Sequence, residues 1–222
     1  MTPDQPIIDW AWVGRNLDLL LEKTGEHALI TVLSVLIGLA IAIPLTITVR
    51  RWRPLVGPVL GFTGALYVIP SLALFAFLIP ITGLSLTTTL IAMVGYTLLI
   101  LIRNTLAGLD GVTPELVDVA TGLGYGPGQR LWRIEAPLAL PVIMAGIRLA
   151  TVSTIGLVAV AGIIGQGGLG DVIINLGIHA FFATPIIIGT ILAATLALAA
   201  DAGLLALQRA LSPWAGRRAV DG

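Results

Sequence analysis

Asp118–Pro137 reads DVATGLGYGPGQRLWRIEAP, a polar, glycine-punctuated stretch between two long apolar segments. Just upstream, Thr113-Pro114-Glu115 forms a helix start: a capping residue, proline at the first helical position and an acid in the first turn. The spacing predicts a helix from Pro114 to about Gly122. Gly122, Gly124, Gly126 and Gly128, with Pro127 among them, then break it. A second short helix is expected near Gln129, carrying Arg130, Leu131, Trp132 and Arg133. Two short helices joined by a glycine turn make a compact knob. What flanks the knob decides the fold.

The flanks are membrane spans. Hydrophobic residues make up 57% of the chain and charged residues 11%, against about 25% charged in a soluble domain, and mean hydropathy is +1.01. A helix needs about 20 apolar residues to cross roughly 30 Å of hydrocarbon. Segments near 28–49, 56–79, 86–108, 138–164 and 184–208 meet that length, the fourth interrupted by Arg148 and the fifth by Asp201. Backbone groups in lipid must be satisfied within the segment, so these are helices. The strict alternation of a membrane barrel strand is missing from them. The fold class expected is an all-α integral membrane protein with five transmembrane helices. A net charge of zero argues against nucleic acid. The absence of cysteine removes disulfides and thiolate metal sites. Acids in residues 1–26 and the lack of a short apolar run there argue against a cleaved leader.

Basic residues set the expected direction. Arg50, Arg51, Arg53, Arg103, Arg130, Arg133, Arg209, Arg217 and Arg218 fall on one side of a five-span chain, and Arg15 and Lys23 on the other. The N-terminus is therefore expected outside, and the C-terminus and loop 109–136 in the cytoplasm. This divides the chain into an extracytoplasmic segment 1–26, a transmembrane domain 27–211 and a cytoplasmic tail 212–222. The apolar piece within 165–183 is too short to span and is expected to re-enter the membrane or lie at its surface. The N-terminal stretch with Trp10, Trp12 and Leu17 reads either as an interfacial helix or as a partly ordered tail.

The pattern Asp118-x-Ala120-x3-Gly124-x9-Ile134-x-Ala136-Pro137 resembles the EAA loop of ABC importer permeases, Glu-Ala-Ala-x3-Gly-x9-Ile-x-Leu-Pro. Asp118 stands for the Glu, Val119 for the first Ala and Ala136 for the Leu; the glycine and the terminal proline are kept. The resemblance implies the type I permease fold. It makes Asp118, Ala120, Gly124, Arg130, Arg133, Ile134 and Pro137 the residues that couple to a cytoplasmic ATP-binding subunit. It further implies an extracytoplasmic substrate-binding protein, a second permease copy or paralogue, and a place in the bacterial inner membrane. ATP would be bound by the partner, and no cofactor by this chain. IPSLALFAFLIP (69–80), IRNTLAGLDGV (102–112), LWRIEAPLALPVIMAGIRLATV (131–152), IGQGGLGD (164–171) and LAADAGLLALQRAL (198–211) are similar to permeases of the osmoprotectant branch, whose cargoes are glycine betaine, choline, carnitine and proline. A permease for methionine or another small amino acid is the main alternative, and an ATP-independent carrier or channel a further one.

Other signals are weaker. Gly165-Gln166-Gly167-Gly168-Leu169-Gly170 matches the spacing of a dinucleotide fingerprint, but that motif needs a preceding strand. Here it follows a membrane helix, so Gly167 and Gly168 read as a tight turn on the translocation side. The only lysine, Lys23, has no glycine-rich run before it, which excludes a Walker A loop. Arg148 and Asp201 are intramembrane charges, which usually face protein or water; they are expected either to pair or, for Arg148, to snorkel. A quaternary ammonium can be held by aromatic faces, which brings in Tyr67, Phe75, Phe77 and Tyr96, although aromatics in spans more often simply pack. Pro70 is expected to kink the second span, with Ser71 bonding freed carbonyls, and Pro44 to kink the first. Tyr67, Pro70, Ser71, Tyr96, Arg148, Gly167 and Gly168 thus form the candidate translocation path. His27 and His179 are far apart in sequence and make a metal site improbable, and no nucleophile–base constellation of an enzyme is visible.

Overall fold

The structure is a computed structural model that describes residues 7–214. In chain order the helices are α1 (Trp10–Arg15), α2 (Leu17–Arg51), α3 (Val56–Val68), α4 (Ser71–Thr82), α5 (Leu86–Asp110), α6 (Pro114–Gly122), α7 (Pro127–Arg130), α8 (Ala136–Val160), α9 (Leu169–Asp171) and α10 (Ala183–Leu211). A π-turn, Leu131–Glu135, joins α7 to α8, and a second, Val172–Ile178, extends α9. Four continuous runs are long and apolar enough to cross a membrane: Leu17–Arg51, Leu86–Asp110, Pro127–Ile164 and Ala183–Leu211. The α3–α4 pair supplies a fifth if counted as one broken span.

The centre is a three-helix unit of α2, α5 and α8, with α3 and α4 laid on α5 and α10 on α8. Its core is apolar: Ile30, Phe75, Met93, Tyr96 and Val158 form one cluster, and Ala42, Leu101, Ile102 and Ala150 another. Several buried hydroxyls are satisfied by their own helices; Thr31, Ser34 and Thr154 each donate to the carbonyl four residues back. Glycine brings the axes close. A β-carbon on Gly38 would overlap Thr97, and one on Gly146 would overlap Asn104, the small-residue contact that membrane helices use.

Three expectations change. The second span is not a kinked rod: α3 and α4 meet at 96°. Pro70 has no N–H for the Leu66 carbonyl, and the Ile69 carbonyl takes the Tyr96 hydroxyl at 2.7 Å instead of continuing the helix. Pro44, by contrast, leaves α2 continuous, with the Thr48 hydroxyl on its carbonyl at 2.9 Å. The first span begins at Leu17 instead of residue 28, so the boundary expected at 26/27 falls inside a helix. Its polar start is held because Lys23 reaches both Glu26 (2.8 Å) and Asp171 of α9 (3.1 Å).

The short segment Leu169–Ile178 is too brief to span. It packs on α2 and α10. Residues 10–15 are helical: Asp9 caps α1 by accepting from Trp12 N (2.9 Å), and its own N–H donates to Thr184 Oγ1 at the start of α10 (2.8 Å). Trp12 meets Phe182 edge to face at 5.6 Å.

Candidate functional site

The loop between α5 and α8 starts as the sequence predicts. α6 runs Pro114–Gly122 with Pro114 at its first position and Glu115 in its first turn. Thr113 takes the N-cap position in extended conformation, although its hydroxyl makes no capping bond. The helix ends in a Schellman turn. Gly124 has φ +84°, its N–H donates to Thr121 O at 3.0 Å, and Tyr125 N donates to Ala120 O at 3.1 Å. A side chain at position 124 would have to adopt left-handed geometry, which glycine tolerates.

The second half of the loop departs from the expected separate helix. α7, the π-turn and α8 form one unbroken run, so Arg130–Arg133 are the first turns of the fourth span. The π-turn has a cause. Pro137 brings no N–H to the ladder, and Ala136 N reaches back five residues to Leu131 O.

One buried carboxylate fastens this loop to two spans. Glu135 is 1% exposed. It accepts from Arg130 Nε at 2.7 Å and from the Arg50 guanidinium at the end of α2. Arg50 also donates to Asp110 (3.1 Å) and to the Leu109 carbonyl (3.0 Å) at the end of α5. Arg53 adds a two-pronged contact to Asp110 at 2.7 and 2.9 Å. Arg130 completes the set with a bond to Thr121 at 3.3 Å, which ties the network back to α6. An open cavity of about 450 Å³ is lined by this group. Arg130 is thus engaged within its own chain by Glu135. Such charge-assisted bonds to a desolvated carboxylate are the stronger kind.

The outer face of α6 is apolar as well as charged. Asp118 and Arg133 are exposed. So are Leu116, Val119 and Leu123, at 42%, 60% and 73%, which helical spacing aligns as a stripe; Trp132 is 63% exposed. Ala120 is buried at 3%, so its small size serves packing within the chain instead of close approach by a partner. Ile134 and Pro137 are half-buried at the base of α8.

The candidate path residues divide into three places. Tyr67, Pro70, Ser71 and Tyr96 come together at the α3–α4 break, where the two tyrosine rings stand at 83° with centroids 6.1 Å apart. Arg148 and Asp201 pair through two 2.8 Å bonds between α8 and α10, so the expected pair forms. Gly167 and Gly168 are elsewhere and are not open to a path. Both are buried, Gly168 has φ +54°, and a β-carbon on it would lie 2.6 Å from His27 N. The turn is packed against α2 by His27, whose ring nitrogens lie 3.1 Å from the Gly167 carbonyl and 2.9 Å from that of Ile155.

Glu135, Arg50, Asp110 and the apolar stripe are what sequence reasoning missed. The available signals were an acid beside Pro137 at the foot of an apolar run and three arginines closing another. The stripe was legible from spacing alone.

Over residues 31–213 the chain matches the family described as the inner membrane component of binding-protein-dependent transport systems. It is 37% identical over 194 residues to the glycine betaine/carnitine/choline transport system permease OpuCB of Bacillus subtilis, covering 87% of this chain and 89% of that one. It is 37% identical over 209 residues to the carnitine transport permease OpuCB of Listeria monocytogenes, covering 94% of each. It is 37% identical over 203 residues to the osmoprotectant import permease OsmW of Salmonella typhimurium, covering 89% of this chain and 94% of that one. Among solved structures, a chain of the inward-facing MetNI methionine ABC transporter aligns with a TM-score of 0.80 at 20% identity. That alignment covers 88% of this chain and 97% of the other, and it establishes the fold as that of a type I ABC importer permease. With an all-helical architecture, apolar spans and a match across most of its length, this chain belongs to the family of inner membrane components of binding-protein-dependent transport systems.

Proposed function

We propose that this chain is the permease subunit of an ATP-driven importer for quaternary ammonium osmoprotectants, and that α6 is the element that docks on the ATP-binding partner. The carrying observation is the pairing of an exposed apolar stripe, Leu116–Val119–Leu123, with a loop clamped to α2 and α5 through Glu135. A projecting apolar face gives a partner groove something to bury, and the clamp makes its displacement felt by the spans. Asp118 and Arg133 flank the stripe and meet groove charges. Gly124, Ile134 and Pro137 set the loop's shape. The arginines at the end of α2 and those before α8, Arg130 and Arg133, support a cytoplasmic loop face and an outer N-terminus.

Two such permeases, identical or related, stand over two ATP-binding subunits, which hold the nucleotide. A binding protein delivers cargo from the other side. The relatives named for glycine betaine, carnitine and choline support this cargo class. The test is reconstitution with the ATPase and binding protein, following uptake of labelled glycine betaine, choline and carnitine. ATP-dependent uptake that is lost in Gly124→Asp is expected. Uptake that survives ATP depletion overturns the importer. Binding-protein-stimulated ATP hydrolysis without uptake of any amine overturns the cargo class.

A further inference from the structure

The α3–α4 break opens on a cavity of about 260 Å³ lined by Tyr67, Pro70, Ser71, Tyr96 and Leu157 among others. That is smaller than the roughly 300–1,000 Å³ of pockets for drug-sized ligands, and it suits a compact cargo. No charged side chain lines it among the described residues. Its polar character comes from the tyrosines, Ser71 and backbone. Tyr67 and Tyr96 meet edge to face at 83°, their centroids 6.1 Å apart. Tyr96 is 4% exposed and fixed by its hydroxyl bond to the Ile69 carbonyl, whereas Tyr67 is 40% exposed and opens the corner to the outside of the chain. The C-terminus of α3, at Val68, points its carbonyl pole to the same place, equivalent to about half a negative charge.

Depth matters as much as composition. Tyr96 is about 21 Å along α5 from Asp110 and about 15 Å from Leu86, at 1.5 Å per residue. The cavity therefore lies near the middle of the span, where broken helices of transporters hold their cargo.

We propose that this corner is a transient binding site, within the permease itself, for the quaternary ammonium group of the cargo; the proposal rests on the cargo class given above. A quaternary ammonium has no N–H to donate, so it cannot use hydrogen-bond acceptors as a primary or secondary amine does. Its diffuse charge is held by aromatic faces within about 6 Å of the ring centroid and by carbonyl dipoles. Tyr67 supplies the accessible face. Tyr96 is the fixed wall, and Leu157 closes the apolar floor.

The experiment is uptake by the reconstituted transporter at saturating binding protein, with labelled glycine betaine and choline as probes. Tyr67→Leu keeps apolar bulk and removes the π-face; maximal uptake should fall about tenfold, while binding-protein-stimulated ATP hydrolysis persists. Tyr67→Phe keeps the ring and should retain most uptake. Phenylalanines carrying one, two and three fluorines at position 67 leave shape nearly unchanged and weaken the quadrupole in steps, so uptake should fall with each fluorine. Loss in Tyr67→Leu together with a falling fluorine series supports the site. A flat series overturns it, whatever Tyr67→Leu does, because fluorination leaves folding intact. Wild-type protein that imports neither amine overturns the cargo reading beneath it, and with it this site.

Discussion

The two ends of the helical bundle are joined by different means. At the loop end, α2, α5 and α8 meet through guanidinium–carboxylate contacts: Arg50 and Arg130 on Glu135, Arg50 and Arg53 on Asp110. At the opposite end the glycine turn 162–170 is packed closely on the backbone of α2 and α8. His27 lies against the Gly167 and Ile155 carbonyls, and a β-carbon on Gly162 or Gly170 would overlap the main chain facing it. Long arginine stems can keep a carboxylate in reach while the helices carrying them shift. Interlocked glycines cannot, because close-packed interiors transmit displacement instead of absorbing it. The loop end is therefore held by side chains with reach, and the other end by close backbone packing.

The largest effect is expected from breaking the locked end. Gly168→Val would put a branched side chain at φ +54° and against the His27 backbone. Strain and overpacking together cost about 3 kcal/mol or more. The purified complex should lose its monodisperse elution and its cooperative thermal transition. A variant that assembles at the wild-type level would show that the turn is looser than its contacts indicate.

An intermediate effect is expected at the loop end. Glu135→Gln keeps the shape of the side chain and removes the charge, leaving Arg50 and Arg130 facing a neutral amide. Losing one member of a buried ion cluster costs about 3 kcal/mol, but here the loss is confined to the anchoring of the loop. Assembly should survive, and uptake per ATP hydrolysed should fall. If uptake and hydrolysis decline in parallel, Glu135 holds the fold and does not transmit movement. The contrast with Gly168→Val is the point of the pair: one end fails by misfolding, the other by slipping.

Much of this arrangement was legible in the sequence, and the limits have physical causes. Apolar runs located the spans because lipid demands them, and Thr113-Pro114 and Gly124 located α6 and its end because those signals are local. The same local grammar failed at Pro70. Pro44 and Pro70 look alike in sequence, yet α2 continues through one and the chain turns 96° at the other. At the second, Tyr96 captures the Ile69 carbonyl from another helix. Glu135 was illegible for the same reason. Its partner Arg50 is 85 positions away, and nothing in either neighbourhood announces the other. Gly167 and Gly168 were misassigned to a path because a glycine turn in sequence does not reveal what packs on it; here it is His27.

The smallest effect is expected between the two ends, at Arg148 and Asp201. The guanidinium and carboxylate are matched prong for prong, but the pair is only partly covered, with side-chain exposures of 24% and 37%. Alternative partners and water can therefore replace much of what either residue loses. Each single change, Arg148→Ala or Asp201→Ala, leaves one charge within a span, where solitary charges are disfavoured. The double change removes both and restores neutrality. Uptake should consequently drop in each single variant and be no worse in the double variant than in the poorer single. Additive losses in this cycle would mean that the two residues act separately.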